Sequence, residues 1–343
     1  MAFKLGILGI DHGHIFGMLG NMMSQGCFAN AYWTNGPAVT EEKFRTTFPH
    51  LEKATDARGI LDDPDVKMVL IAAVPADRAK LAIAAMRAGK DVMVDKPGCT
   101  TLEQLAEICA VQKETGRIWT VNFSERFEVP AMTKVIELVQ SGAIGRVIQT
   151  VGLGPHKQNL RTRPDWFFKR ERFGGILCDI GSHQIDQFLY LTGSNDAHIS
   201  HAYVENSTMA EYPEFQDFGE MGLRSNHAHG YIRVDWFTPD GLPTWGDGRL
   251  FIQGTDGTIE VRKYTDIGRD HVTDTIYLVN HEENSRIDGR DAGLPYFPRL
   301  VADVQDRSET AVSQSHTFTT MRLALEAQSL AENTRSTKTK MIT

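Results

Sequence analysis

The chain has 343 residues, 41% hydrophobic and 23% charged, which fits a globular protein and excludes a disordered one. At about 150 residues per domain, this length favours two domains. Lys and Arg number 36 against 44 Asp and Glu, a formal charge of −8. That balance argues against a nucleic-acid partner or an anionic membrane surface. No apolar run approaches the ~20 residues of a bilayer span. Cys27, Cys99, Cys109 and Cys178 include no CxxC pair, so reduced thiols in a cytoplasm are expected. Met1-Ala2-Phe3-Lys4 runs directly into an apolar stretch, and no secretory signal is read there.

Lys4 to Leu8 reads as a buried strand, followed by the turn Gly9-Ile10-Asp11-His12-Gly13-His14 and a helix from Ile15 to Met23. Ala29 to Thr34 is a second strand and Lys43 to Phe48 a helix. Val66 to Val74 is almost wholly apolar, as expected of a strand covered on both faces. The next helix takes Asp77 as its N-cap and ends at Gly89. Asp91 to Val94 is a strand, and Thr100-x-x-Glu103 opens a helix that stops at Gly116. Ile118 to Phe123 closes the series. Strands alternating with helices predict a doubly wound parallel sheet, a Rossmann domain over residues 1–122.

The pattern then changes. Pro130 to Ser141 reads as a helix with Gly142 after it. Strands follow at Val147–Leu153, His201–Asn206, Tyr231–Phe237, Arg249–Gln253, Thr258–Arg262 and Thr275–Val279, with Asp256-Gly257 as a hairpin signal. One helix from about Arg170 to Leu191 interrupts them, and another lies near Thr320–Asn333. Residues 123–343 are therefore expected to form an α+β domain with a large, mainly antiparallel sheet.

Four constellations bear on chemistry. A G-x-G-x-x-G fingerprint starting at Gly9 would need glycine at 11 and 14, where Asp11 and His14 stand. Glycine lets the backbone approach a pyrophosphate at the helix N-terminus. Asp11 would compete with that phosphate. The acid expected ~20 residues on is missing as well. No Asp or Glu lies between Asp11 and Glu41, no Lys or Arg lies between Lys4 and Lys43, and Thr34 and Asn35 hold the ribose-contacting position. NAD and NADP both stay open. Asp95-Lys96-Pro97 directly follows a strand, at the sheet end where ligands sit in such folds. Lys96 there can hold a hydroxyl or polarise a carbonyl, and Pro97 fixes the turn. In Gly174 to Asp186, Asp179 and His183 stand four apart, so on a helix they share a face and can do acid–base work. Taken alone, a loop lysine is ordinarily plain surface. An Asp and a His at this spacing are as often a capped helix start and a core histidine.

Two long motifs in this order, Asp95-Lys96-Pro97 and Gly174-Gly175-Ile176-Leu177-Cys178-Asp179-Ile180-Gly181-Ser182-His183-Gln184-Ile185-Asp186, resemble those of the glucose–fructose oxidoreductase / inositol dehydrogenase (Gfo/Idh/MocA) family. Ala88-Gly89-Lys90-Asp91-Val92, Ser141-Gly142-Ala143-Ile144-Gly145-Arg146-Val147, Arg163-Pro164-Asp165-Trp166-Phe167 and Gly254-Thr255-Asp256-Gly257-Thr258-Ile259-Glu260 add to a resemblance of nearly full length. It implies NAD(P)-dependent oxidation or reduction of a sugar, polyol or related hydroxyl compound. By position it implies Lys96, Asp179 and His183 as catalytic. It implies Gly9, Ile10, Asp11, His12, Thr34, Asn35, Val74, Pro75, Asp95 and Lys96 at the cofactor. His156, Arg163 and Trp166 join the catalytic three at the substrate. Val74 and Ala76 replace the usual Thr and Asn around Pro75, and Thr34 replaces the usual acid. A homodimer or homotetramer is implied as well. No metal is expected. His227 and His229 would share a strand face but lack neighbouring ligands. Two other classes fit the same fold: an NAD-dependent glycoside hydrolase or lyase, and a non-catalytic sugar-sensing regulator.

Overall fold

The computed structural model describes residues 2–342, with side chains through residue 333. The chain divides into two compact units. The first holds residues 1–123 and takes in 164–174 and 295–321; the second holds 124–163, 175–294 and 322–343.

In the first unit, the elements run β1 (Lys4–Leu8), α1 (His14–Ser24), β2 (Phe28–Trp33), α2 (Glu41–Thr47), β3 (Glu52–Lys53), α3 (Arg58–Leu61), β4 (Val66–Ile71), α4 (Pro75–Arg87), β5 (Asp91–Asp95), α5 (Leu102–Thr115) and β6 (Trp119–Asn122). The six strands form one parallel sheet in the order β3-β2-β1-β4-β5-β6, the Rossmann architecture predicted. Its order reverses between β1 and β4, the switch point outside which such sheets bind ligands. Val66, Met68, Val69, Leu70 and Ile71 of β4 are all buried, as parallel strands covered on both faces require. Ile15, Met18, Leu19 and Met22 make the buried stripe of α1, the spacing of an amphipathic helix.

Two helix starts differ from the sequence expectation. Pro75, with no N–H to satisfy, opens α4 at its first position, and Asp77 sits inside the first turn. The cap of α5 is Thr101, whose Oγ1 accepts from Gln104 N at 3.2 Å. Gln104 Oε1 accepts in return from Thr100 N at 2.8 Å. The box is thus shifted by one residue, because Gln serves there as well as Glu. The two later segments join this unit through named contacts. Arg172 of α8 (Arg170–Phe173) donates to both oxygens of Asp77 at 3.1 and 2.8 Å. Arg307, just past α11 (Tyr296–Asp306), pairs with Asp91 at 2.7 Å. Trp119 stacks on Phe318 at 5.0 Å between centroids.

In the second unit, α6 (Ser124–Phe127) and α7 (Pro130–Gln140) precede β7 (Val147–Pro155). Then come α9 (Ile176–Asp179), α10 (Gly181–Thr192), β8 (His198–Glu205), β9 (Phe218–Arg224), β10 (His229–Asp235), β11 (Arg249–Gly254), β12 (Gly257–Arg262), β13 (Thr275–Asn280) and β14 (Asn284–Asp288). These eight strands form one sheet, β14-β13-β12-β11-β7-β10-β9-β8. Every pairing is antiparallel except β7 with β10. Met132 and Val135 of α7 pack into a core with Leu250, Ile252, Ile259 and Val261 of the sheet. Helix α12 (Gln314–Ile342) ends the chain and contains the predicted 320–333 helix.

The helix expected from Arg170 to Leu191 is three pieces. Gly174 and Gly175 have φ of +94° and +90°, outside helical space, so α8 stops and the chain restarts at Ile176. Strands β9 and β14 are absent from the sequence reading. Two glycines weaken the first, and the second is the polar edge segment Asn284-Ser285-Arg286-Ile287-Asp288. Pairing with neighbours overrides local preference in both.

Candidate functional site

The fingerprint turn of the first unit is closed by its neighbours. Gly9 donates to Trp33 O at 2.6 Å, and His12 N donates to Ala72 O at 3.0 Å. Gly9 has φ +80°, and a Cβ there would lie 2.4 Å from that of Ala73, so only glycine fits. Ile10 is buried, its carbonyl accepting from Thr40 Oγ1. Burial pushes the Asp11 carboxyl up to about 6, against the opposing pull of Arg78. Thr34 is buried just past β2, and its Oγ1 has no hydrogen-bond partner. Asn35 beside it is exposed. Val74 and Pro75 form the start of α4.

This turn meets Asp95 at the end of β5. His12 Nδ1 lies 2.8 Å from Asp95 Oδ2, and His14 Nδ1 lies 2.7 Å from Oδ1. The two rings meet edge to face at 4.5 Å. Arg78, fully buried, donates from Nη2 to Asp95 Oδ2 at 2.9 Å. Its Nε reaches Ala73 O at 2.7 Å, and Nη1 reaches the carbonyls of Asp95 at 2.9 Å, Pro97 at 3.0 Å and Lys96. The turn bearing the buried Lys96, with its cis Lys96–Pro97 bond, is thus held by one guanidinium. Burial alone would push the Asp95 carboxyl up. Arg78, His12 and His14 together outweigh it and hold the group well below the usual carboxylate range. Burial pushes His12 down to about 4, past the opposing pull of Asp95. The ring keeps 22% exposure, so water offsets part of that penalty.

Among the described residues, His12, His14 and Asp95 are the group whose metal-ligand atoms all lie within 4.8 Å of one another. Arg78 already neutralises this carboxylate, and the charge of Lys96 bears on His12. That positive field opposes a dication, and the imidazoles act as N–H donors to Asp95 instead.

The second unit brings together His156, Arg163, Asp179 and His183. His156 follows β7, with Nδ1 donating to Gly154 O at 3.0 Å. Its ring packs on Trp236 at 5.3 Å and Trp245 at 4.5 Å. Arg163 lies over Trp236 at 4.8 Å and donates from Nε to Gln158 O at 2.8 Å. Burial lowers the Arg163 pKa, and the carboxylate of Asp179 opposes it. Asp179 ends α9 and His183 lies in the first turn of α10, both buried. His183 and His156 both bear electrostatically on Glu125. Trp166 belongs to the first unit, in a short 3-10 turn against Phe167. His227 lies before β10 and pairs with Thr192 O at 3.0 Å, so it does not share a strand face with His229.

Sequence reasoning missed Arg78, the pairing of His12 and His14 with Asp95, and the acid Glu125. Arg78 reads as an ordinary helix charge. The acid in Asp95-Lys96-Pro97 was the one available signal that a buried cation should exist nearby.

The GFO/IDH/MocA C-terminal domain matches residues 132–260, and the oxidoreductase-family NAD-binding Rossmann fold matches residues 31–123. A crystal structure from Erwinia carotovora atroseptica SCRI1043, described provisionally as an oxidoreductase, is 41% identical. It superposes with TM-score 0.93 over 96% of this chain and 98% of that one. Levoglucosan dehydrogenase of Pseudarthrobacter phenanthrenivorans is 34% identical over 47% of this chain and 42% of its own length. For scyllo-inositol 2-dehydrogenase (NAD(+)) of Bacillus subtilis the figures are 28%, 60% and 57%. The matches thus span about half the length of these curated relatives. A levoglucosan dehydrogenase structure with NADH and levoglucosan shares the fold at TM-score 0.78 and 19% identity, covering 98% of both chains. No described helix is long and apolar enough to cross a membrane. Matched in both halves by its domains, and near full length by a 41% identical structure, the chain belongs to the GFO/IDH/MocA oxidoreductase family.

Proposed function

We propose that this chain is a dehydrogenase or reductase that moves a hydride between NAD or NADP and a hydroxyl-bearing carbon of a sugar, polyol or related small molecule. The observation that carries this reading is the clamp of Arg78 on Asp95-Lys96-Pro97 at the carboxyl end of β5. A buried cation spent on holding one lysine-bearing turn is the preorganisation that a reacting group needs.

The residues fit a dinucleotide at one point: the orphaned Oγ1 of Thr34, just past β2, needs a partner such as a ribose hydroxyl. Gly9, Ile10, Asp11, His12, Thr34, Asn35, Val74, Pro75 and Asp95 would hold the cofactor, whose nicotinamide supplies or accepts the hydride. Lys96 donates a hydrogen bond to the substrate oxygen and stabilises charge developing there. His183 takes the hydroxyl proton in oxidation and returns it in reduction. Asp179 fixes the charge around Arg163 and the substrate. His156, Arg163 and Trp166 orient the sugar, with ring faces suited to C–H surfaces. The reading assigns the cofactor to residues 1–122 and the substrate to 123–343. It also takes the chain as a cytoplasmic homodimer or homotetramer. Support comes from four cysteines with no CxxC pair among them and from exposed Phe251 and Val279 on the sheet.

Cofactor titration followed by a sugar and polyol panel tests this. Reduced nicotinamide formed on a polyol, with His183→Ala lowering turnover ~10²–10⁴-fold at unchanged cofactor affinity, is the expected result. Asp11 in the phosphate turn favours a second reading, a sugar-binding regulator. Sugar binding without dinucleotide binding would establish that one.

A further inference from the structure

A buried polar cluster in the second unit has no part in the roles above. Glu125 of α6, Lys263 just past β12 and Gln184 of α10 are 1%, 1% and 2% exposed. Lys263 Nζ donates to Glu125 Oε2 at 2.6 Å, and Gln184 Nε2 donates to the same oxygen at 2.8 Å. The other oxygen, Oε1, is buried with no hydrogen bond. Leaving a buried carboxylate oxygen unsatisfied is costly, so a purely structural ion pair is a poor account of it. Gln184 directly follows His183 in the chain. The helix carrying both lies tightly on β7, where a Cβ at Gly152 would stand 2.8 Å from Gln184 Oε1. Gln184 thus ties the start of α10 to Glu125, and His183, its neighbour in that first turn, bears electrostatically on the same carboxylate.

We propose that Glu125 is a positioning residue for His183, stabilising the imidazolium that forms when His183 takes the substrate proton, while Lys263 keeps that proton from passing on to Glu125. The proposal rests on the proton-transfer role given to His183 above. The proton leaves the substrate hydroxyl oxygen and arrives at a His183 ring nitrogen, and Glu125 stays ionised throughout. Burial pushes the Glu125 carboxyl up. Lys263, His183 and His156 together outweigh that and hold it well below the usual range, as an ion that never accepts the proton requires. The groups facing Glu125 in this unit are Lys263 and Tyr264 beyond β12, His183 on α10 and His156 beyond β7. Asp179, at the end of α9, stands four residues before His183 of α10. Arg126 and Asp186 neutralise each other at 2.6 Å.

The test is an NMR titration of the histidine-15N-labelled full chain, with the His183 resonance assigned by its loss in His183→Gln. Glu125→Gln is expected to lower the His183 midpoint by about one pH unit relative to wild type. Lys263→Met, which leaves Glu125 charged and uncompensated, is expected to raise it. The acid limb of kcat/KM should move with each midpoint, and Glu125→Asp should restore part of the shift. Opposite signs in two variants report charge, because packing damage has no reason to reverse sign. A His183 midpoint unmoved in folded Glu125→Gln overturns the proposal. If that variant does not fold, an unmoved midpoint in Lys263→Met overturns it equally. Midpoints that move as stated in a protein without dehydrogenase turnover uphold the charge coupling and reject the dehydrogenase reading instead.

Discussion

Arg78 Nη2 stands 2.9 Å from Asp95 Oδ2, while Nη1 of the same guanidinium bonds the carbonyls of Asp95 and Pro97, on either side of Lys96. One planar fork therefore fixes both the acid and the backbone of the lysine turn. A lysine at position 78 would keep the charge but could not span these acceptors. Arg78→Lys is expected to lower kcat/KM ~10²-fold, the usual effect of a reacting group displaced by about 1 Å. Arg78→Gln removes the buried cation opposite Asp95 and leaves the carboxylate only its two histidine partners, with an expected loss of about 3–5 kcal/mol in urea unfolding. Wild-type kcat/KM in Arg78→Lys would show that the clamp does not position Lys96.

Asp11 gives cofactor binding an unusual pH dependence. With its carboxyl pushed up to about 6 by burial, it is ionised at pH 7.5 and mostly neutral at pH 5.5. A dinucleotide brings a pyrophosphate anion to this turn, so affinity should rise as pH falls through 6. Asp11→Asn should bind ~10-fold tighter at pH 7.5, the equivalent of about 1.4 kcal/mol of relieved repulsion. It should also lose the dependence. Calorimetry at the two pH values decides this, and weaker binding in the Asn variant would give Asp11 a positive role.

Stability should carry two opposed contributions from the same turn. Asp11 has a folded pKa of about 6, above its unfolded 3.8. Between these values the native state holds more protons, so this term loses stability as pH rises from about 4 to 6. His12 has a folded pKa of about 4, below its unfolded 6.5. There the unfolded state holds more protons, and this term loses stability as pH falls from 6.5 to 4. The two nearly cancel in wild type. Asp11→Asn leaves the His12 term, so stability should rise with pH across this window. His12→Asn leaves the Asp11 term and should reverse the slope. Each single proton is worth at most about 1.4 kcal/mol per pH unit. Parallel profiles for both variants in urea melts would refute the assignment.

The Rossmann half is legible because its signals are local. The apolar run of β4, the glycine that stops α5 and the Asp95-Lys96-Pro97 turn all lie within short windows. What escapes the sequence is long-range pairing. Arg78 and Asp95 are 17 residues apart, and Glu125 and Lys263 are 138 apart. No periodicity links them, and a charged residue in a helix reads as surface. The broken helix after Arg170 escapes for another reason. Two adjacent glycines are tolerated in a helical pattern on paper, and only their positive φ values show that the chain leaves the helix. The motif residues Asp179 and His183 stand out by spacing, but the buried carboxylate of Glu125 on α6 does not.

Asp186, the last residue of the second motif, separates a structural from a chemical role. Arg126 holds it through two hydrogen bonds of 2.6 Å each, and both side chains are buried. The guanidinium also lies over the rings of Phe127 at 4.5 Å and Tyr190 at 4.2 Å. Bidentate geometry with aromatic faces on the cation suits a fixed pair rather than a proton carrier. Asp186→Asn removes one charge and strands the other, with an expected loss of about 3–5 kcal/mol. Arg126→Met combined with Asp186→Leu removes both charges, and should recover most of that loss. Urea unfolding of the two variants measures the stability difference. Turnover per folded molecule should stay within ~10-fold of wild type in the double variant, because neither side chain is assigned to the substrate. A double variant that regains stability but loses turnover ~10³-fold would place Asp186 in the chemistry and require the proton path through His183 to be redrawn.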